Sequence, residues 1–243
     1  MPVVLYTSKN TASRNIAEEF GKICPKELEL VDTAAESVLD VPTDFDTDYL
    51  VVLSSHKSKT AGSMITAHFP GNWGGAGLGG EPNTLNIAYG SRIKEFIKST
   101  YGKGWPIFME ADHHGPTIDK PIIFVEIGST EKEWIDKKAA KIVAEGTLAM
   151  IKSNKTYESI LGIGGGHYTK RFTEFILETE YAVGHIAPKY VIDNLDFGIF
   201  KQAIEKNVET VKKVVLLKEE TNARQKEKIR EFSEKAEIEY IEI

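Results

Sequence analysis

Three unbroken apolar runs constrain this chain most: Tyr49-Leu50-Val51-Val52-Leu53, Pro106-Ile107-Phe108-Met109 and Ile122-Ile123-Phe124-Val125. Each is short, rich in β-branched or aromatic residues, and bounded by polar or Gly/Pro positions. Such runs suit strands buried on both faces, which is the situation inside a sheet covered by helices. Helical periodicity fills the intervals between strand candidates. A helix fits residues 12–21, with Ile16, Ala17 and Phe20 on one side. Another fits 83–100, opened by Pro82 and carrying Leu85, Ala88, Ile93, Phe96 and Ile97. Thr130 with Glu133 reads as a capping box for one helix running to about Lys152. Further helices are expected at 169–179 and 198–210. A second box, Asn222 with Gln225, opens a helix to Lys235. Strand patterns recur at 3–6, 27–31, 63–69, 181–186, 213–217 and 237–243. Strands alternating with helices predict an α/β fold. The expectation is a single catalytic domain over residues 1–243, with an inserted glycine-rich lobe at 55–82.

Composition narrows the function. The chain has 243 residues and a net charge of -6, which excludes a bulk polycation that coats nucleic acid. No apolar run approaches the about 18 residues of a membrane span. The start, Met1-Pro2-Val3-Val4-Leu5-Tyr6, reads as a strand and not as a signal peptide. A single cysteine, Cys24, permits no internal disulfide and no cysteine-based zinc cluster. A cytoplasmic protein without a membrane anchor is expected, and no stable protein partner is implied.

The six histidines are His56, His68, His113, His114, His167 and His185. All lie in Gly-rich or polar junctions, not on ordinary helix surface. The densest group is Glu110-Ala111-Asp112-His113-His114-Gly115-Pro116, directly after the 106–109 run. Ligands in open α/β sheets sit beyond the carboxyl ends of strands, so a site at a strand mouth is expected. Neighbours on an extended strand face opposite ways; His113 and His114 share one site only if the strand has ended, as Gly115-Pro116 signals. Neutral imidazole and carboxylate oxygen are zinc donors, and a catalytic zinc keeps one position for water. The donor pool is Glu110, Asp112, His113, His114, His167, His185, His56 and Glu126. A metal-free route is equally open: histidine as general base, Asp112 or Glu110 orienting it, and glycine-loop N–H groups holding an oxyanion. Pro70–Gly80 has six glycines in eleven residues but lacks the spacing and lysine of a phosphate loop. Its plain reading is a surface lid. There is no Gly-x-Ser-x-Gly elbow.

Five segments in order carry a resemblance. They are Ser54-Ser55-His56-Lys57-Ser58, His68-Phe69-Pro70-Gly71-Asn72-Trp73-Gly74, Glu110 to Pro116, Gly164-Gly165-Gly166-His167-Tyr168, and Val183-Gly184-His185. Together they resemble the archaeal and plant type of D-aminoacyl-tRNA deacylase, over nearly the whole chain to at least His185. The resemblance implies hydrolysis of the ester between a D-amino acid and the 3′ end of tRNA. It also implies zinc, and a mixed α/β sheet flanked by helices, similar to peptidyl-tRNA hydrolase and nucleoside phosphorylases. On these residues we expect His113, His114 and His167 as the catalytic set, with Asp112 orienting or ligating, and His56 next. The expected metal ligands are Asp112, His114, His167, His185 and Glu110. Trp73, Gly74, Gly165, Gly166, Tyr168 and Lys57 are expected to meet the charged tRNA. The rival readings are a metal-dependent peptidase, a nucleoside phosphorylase-like enzyme, or a non-catalytic tRNA-binding module.

Overall fold

The elements of the computed structural model, which describes residues 1–243, alternate as the apolar pattern demands. In chain order they are β1 (Val3–Tyr6), α1 (Thr11–Gly21), β2 (Glu29–Asp32), β3 (Leu50–Ser55), β4 (Met64–His68), β5 (Gly71–Asn72) and β6 (Thr84–Leu85). Then come α2 (Gly90–Thr100), β7 (Ile107–Met109), β8 (Ile122–Gly128), α3 (Glu131–Trp134), α4 (Lys137–Lys152), β9 (Ser159–Ile163) and α5 (Lys170–Glu178). The chain closes with β10 (Ala182–Ala187), α6 (Lys189–Ile192), α7 (Phe197–Glu205), β11 (Val211–Leu216), α8 (Ala223–Lys235) and β12 (Glu239–Glu242). Six strands form one sheet in the order β2-β1-β3-β8-β4-β7, four form another in the order β10-β9-β11-β12, and β5 pairs with β6 alone. Every pairing in the two large sheets is parallel except β4 with β8, so the larger sheet is mixed.

The three runs that led the sequence reading are β3, β7 and β8. Val51, Leu53, Ile123, Val125 and Ile127 turn to one side, where Ile16 and Phe20 of α1, Phe96 of α2 and Val143 of α4 cover them. The same core takes Ile160, Val183 and Val215 from the second sheet. Within the 55–82 segment, β4 is an interior strand of the larger sheet, while β5 pairs with β6 outside it.

Three helix boundaries differ from the periodic reading. The helix expected over 83–100 begins only at Gly90, because Thr84 and Leu85 pair with Asn72 and Gly71. Its first two N–H groups, Gly90 and Ser91, donate to the buried Glu209 carboxylate at 3.1 and 2.8 Å. The helix expected over 130–152 is two. The Thr130–Glu133 capping box is present and starts α3. Asp136 then caps a new helix by accepting from Lys138 and Ala139 N–H at 2.7 and 2.9 Å. The helix expected over 198–210 stops at Glu205. The Asn222–Gln225 box opens α8 as read.

Lys94 on α2 is buried. Its ammonium donates to the carbonyls of Ile176, Thr179 and Tyr181 at 2.8, 2.5 and 2.8 Å. It thereby satisfies oxygens at the end of α5, which no intrahelical N–H can reach.

Candidate active site

Strand pairing builds the site floor. Ser54 of β3 and Thr66 of β4 both lie opposite Glu126 of β8, so the three share one face of the sheet. Ser54 Oγ donates to Glu126 Oε1 at 2.7 Å. Two residues beyond Thr66, His68 lies on the same face and stacks on Phe124 with ring centroids 5.4 Å apart. The site occupies a face of the mixed sheet, and His56, His68 and Glu110 stand at or just past the carboxyl ends of β3, β4 and β7. Because β4 runs against β8, the carboxyl ends of β4 and β7 point away from those of β3 and β8, and the site draws on both directions.

The 110–114 segment crosses this face just past β7. It is braced on both sides. Glu110 N–H donates to Ala67 O at 3.0 Å, Ala111 N–H to His167 O at 2.9 Å, and Gly71 N–H to His113 O at 3.3 Å. Four histidines converge on the buried Glu110 carboxylate. His56 Nδ1 and His68 Nδ1 lie 3.2 Å from it, and His113 Nε2 and His167 Nε2 lie 3.8 Å from it. His113 donates from Nδ1 to Ala111 O at 2.9 Å, and His114 from Nδ1 to Gly115 O. Each of these histidines thus presents Nε2 with its lone pair. His114 Nε2 faces His68 Nε2 at 3.0 Å. On its outer side His56 Nε2 meets the Tyr168 hydroxyl at 2.5 Å.

Burial sets the protonation of the cluster. It lowers His56 and His68 to about 4 and His114 to about 3, and it drives His113 well below the usual imidazole range. The neighbouring imidazoles push the same way. Burial also raises Glu110 and Glu126 to about 7. His56, His68, His113 and His114 are therefore neutral near pH 7, and the two carboxyls change charge there.

This donor set suits a cation. Both Glu110 oxygens and His68 Nδ1 are buried and lack any hydrogen-bond partner. Buried polar atoms in that state are rare unless a proton, a water or an ion answers them. Three overlapping groups can each hold a metal ion: His68 with His113 and His114, His56 with Glu110 and His167, and His68 with Glu110 and Glu126.

Of the residues expected from sequence, the structure brings His56, Glu110, His113, His114 and His167 together, with Tyr168 and Lys57 beside them. It does not bring Asp112 and His185 into that group. Asp112 accepts from His185 Nδ1 at 2.6 Å and from Ile186 N–H at 2.7 Å, and His185 Nε2 donates to Lys206 O at 2.9 Å. These two side chains are occupied with each other and anchor the 110–114 segment to β10. Trp73 and Gly74 lie across the His113–His114 pair, in a separate cavity. Gly165 and Gly166 precede His167, and neither donates its N–H to a backbone carbonyl. His68, which the sequence left unassigned, stands at the centre, and Glu126 lies beneath it. Beside its place in the 68–74 segment, alternation along 63–69 is a signal for it, since it puts Thr66 and His68 on the side opposite Ile65 and Ala67.

A family model described as D-aminoacyl-tRNA deacylase matches residues 43–241. A protein of that name from Ignicoccus hospitalis is 38% identical over 165 residues, which span 67% of this chain and 67% of that protein. One from Pyrococcus furiosus is 33% identical over 218 residues, spanning 78% and 81%. One from Saccharolobus solfataricus is 36% identical over 203 residues, spanning 80% and 84%. A crystal structure described as a conserved protein of unknown function is 27% identical and superposes with a TM-score of 0.91. It covers 100% of this chain and 95% of its own.

Proposed function

The chain belongs to the D-aminoacyl-tRNA deacylase family, and from that premise we propose that it cleaves the ester between a D-amino acid and the 3′ end of tRNA at the Glu110 cluster. The observation that carries this reading is the convergence of His56, His68, His113 and His167 on one buried carboxylate. Water adds to the ester carbonyl, the bond to the ribose oxygen breaks, and one proton must reach that oxygen. Glu110 and Glu126, raised to about 7, take the proton from water at neutral pH. His56 and Tyr168, hydrogen-bonded at 2.5 Å, lead from the carboxylates to the open side and deliver a proton to the leaving oxygen. The N–H groups of Gly165 and Gly166 are available for the oxyanion. Asp112 and His185 act by position, and Lys57, on the wall of the larger cavity, is the cation offered to the charged tRNA.

Zinc is the cation that mixed imidazole and carboxylate donors fit. His68, His113 and His114 would hold it, with His56, Glu110 and His167 as a second group. Zinc bound there would supply Lewis-acid stabilisation of the negative charge that develops on the carbonyl oxygen. The shared core of the two sheets supports reading residues 1–243 as one catalytic unit. No helix is long and apolar enough to cross a membrane, and a cytoplasmic location follows from the proposed substrate.

The test is time-resolved release of amino acid from matched D- and L-tyrosyl-tRNA, before and after metal removal. The expected result is faster D cleavage, lost on chelation and restored by zinc. D cleavage that survives complete metal removal would leave histidine and carboxylate catalysis alone. Cleavage of neither ester by folded, metal-replete protein would overturn the proposal.

A further inference from the structure

Two cavities meet at the His113–His114 pair. One, of about 300 Å³, is lined by the 71–78 loop, Trp73, Asp112 and Tyr190. The other, of about 450 Å³, opens toward Asn10, Glu36, Ser55, Lys57 and Glu126. His113, His114 and Leu78 line both. A charged tRNA end also has two parts flanking its reacting ester, a terminal adenosine and an aminoacyl group.

The glycines of the loop separate into two classes. Some answer to the fold. A Cβ on Gly71 would stand 2.9 Å from Leu85, one on Gly80 would stand 3.0 Å from Gly115 Cα, and Gly79 has φ of 81°. Gly74, Gly75 and Gly77 answer to nothing in the protein. None has a positive φ, and a Cβ on any of them would meet no atom within 4 Å. All three line the smaller cavity. Bare backbone there serves close approach by something outside the chain. A second observation points the same way. Trp73 lines this cavity, is 6% exposed, and its buried Nε1–H has no acceptor.

We propose that the glycine-lined cavity seats the 3′-terminal adenosine and that the larger one takes the aminoacyl group. This assignment rests on the deacylase reading. Tyr190 offers its ring, with the residue 59% exposed, as a stacking surface for a base. The only carboxylate in that cavity, Asp112, is already engaged by His185 and Ile186. At the rim of the larger cavity Glu36, paired with Lys9, adds an exposed carboxylate that suits the α-ammonium group of an amino acid.

The probe is the uncharged trinucleotide cytidylyl-cytidylyl-adenosine, titrated against the full-length protein and its variants. Gly75→Ala, Gly77→Ala and Tyr190→Ala should each weaken its binding about tenfold. They should also raise KM for D-tyrosyl-tRNA while leaving the melting temperature unchanged. Asn10→Ala and Glu36→Gln should leave trinucleotide binding within about twofold of the parent. Wild-type affinity in all three cavity variants overturns the assignment, and so does loss of affinity confined to Asn10→Ala and Glu36→Gln. Trinucleotide binding does not depend on turnover. A parent protein that binds the trinucleotide through this cavity yet cleaves no ester sinks the deacylase reading and leaves the nucleotide seat standing.

Discussion

Glu110 sits with two unanswered oxygens among four imidazoles. Glu110→Gln should lower kcat/KM on D-tyrosyl-tRNA by about 10² or more. Circular dichroism should be unchanged, and bound zinc per chain should fall; full activity in the variant would remove Glu110 from the chemistry. Glu126 permits a test by pH alone, on chelated protein. Its folded pKa, about 7, lies above the ordinary 4.5. The folded state therefore keeps a proton that the unfolded state releases first. That stabilisation is complete below about 4.5 and is lost as pH rises through 7. Glu126→Gln cannot ionise. It should match the parent at pH 4 and exceed it above pH 7 by up to about 3 kcal/mol in urea melts. An advantage that does not grow with pH would show that burial does not hold the Glu126 proton. The sequence made His56, His113, His114 and His167 legible because each adjoins glycine or follows a strand. His68 and Glu126 were harder, since both lie inside β-runs and become neighbours only through β4 pairing with β8. Asp112 and His185 have the right chemistry for ligands. Which partner each would take depends on contacts 73 and 74 residues away.

Strands were the most legible elements, because an apolar run needs no distant information to be buried. Helix starts were less so. Residues 83–89 carry helical periodicity, yet α2 waits for Gly90, where the cap comes from Glu209, 119 residues on. The unbroken pattern of 130–152 hides a restart because Asp136 fits the polar face of one long helix in sequence, while in the structure it is extended and caps α4. Lys94 makes the opposite kind of link, from the middle of α2 to the end of α5. Removing it leaves three carbonyls without their donor. Lys94→Met should cost about 3 kcal/mol in chemical denaturation. Amide exchange should rise first around 176–181, and a uniform rise across the molecule would argue against a local role for the ammonium.

At the scale of the molecule, the two sheets share a core, yet the candidate site lies on the opposite face of the larger one. Its floor residues, Ser54, Thr66, His68 and Glu126, belong to strands hydrogen-bonded to neighbours on both sides. Its other wall is the glycine-bearing loop, tied to the 110–116 segment at its two ends, by Gly71 N–H to His113 O at 3.3 Å and by Gly115 N–H to Leu78 O at 3.1 Å. These two walls should open on different energy scales. Amides of β3, β4 and β8 should exchange only through global unfolding, with protection equal to the whole stability. Those of 74–80 should exchange orders of magnitude faster and slow when a tRNA end is seated. Protection in β4 well below the global value would contradict this division. Strand β4, which runs with β7 against the other four strands, thus gives His68 a foundation that cannot loosen without denaturing the protein, and it leaves the motions of substrate entry and product exit to the wall opposite.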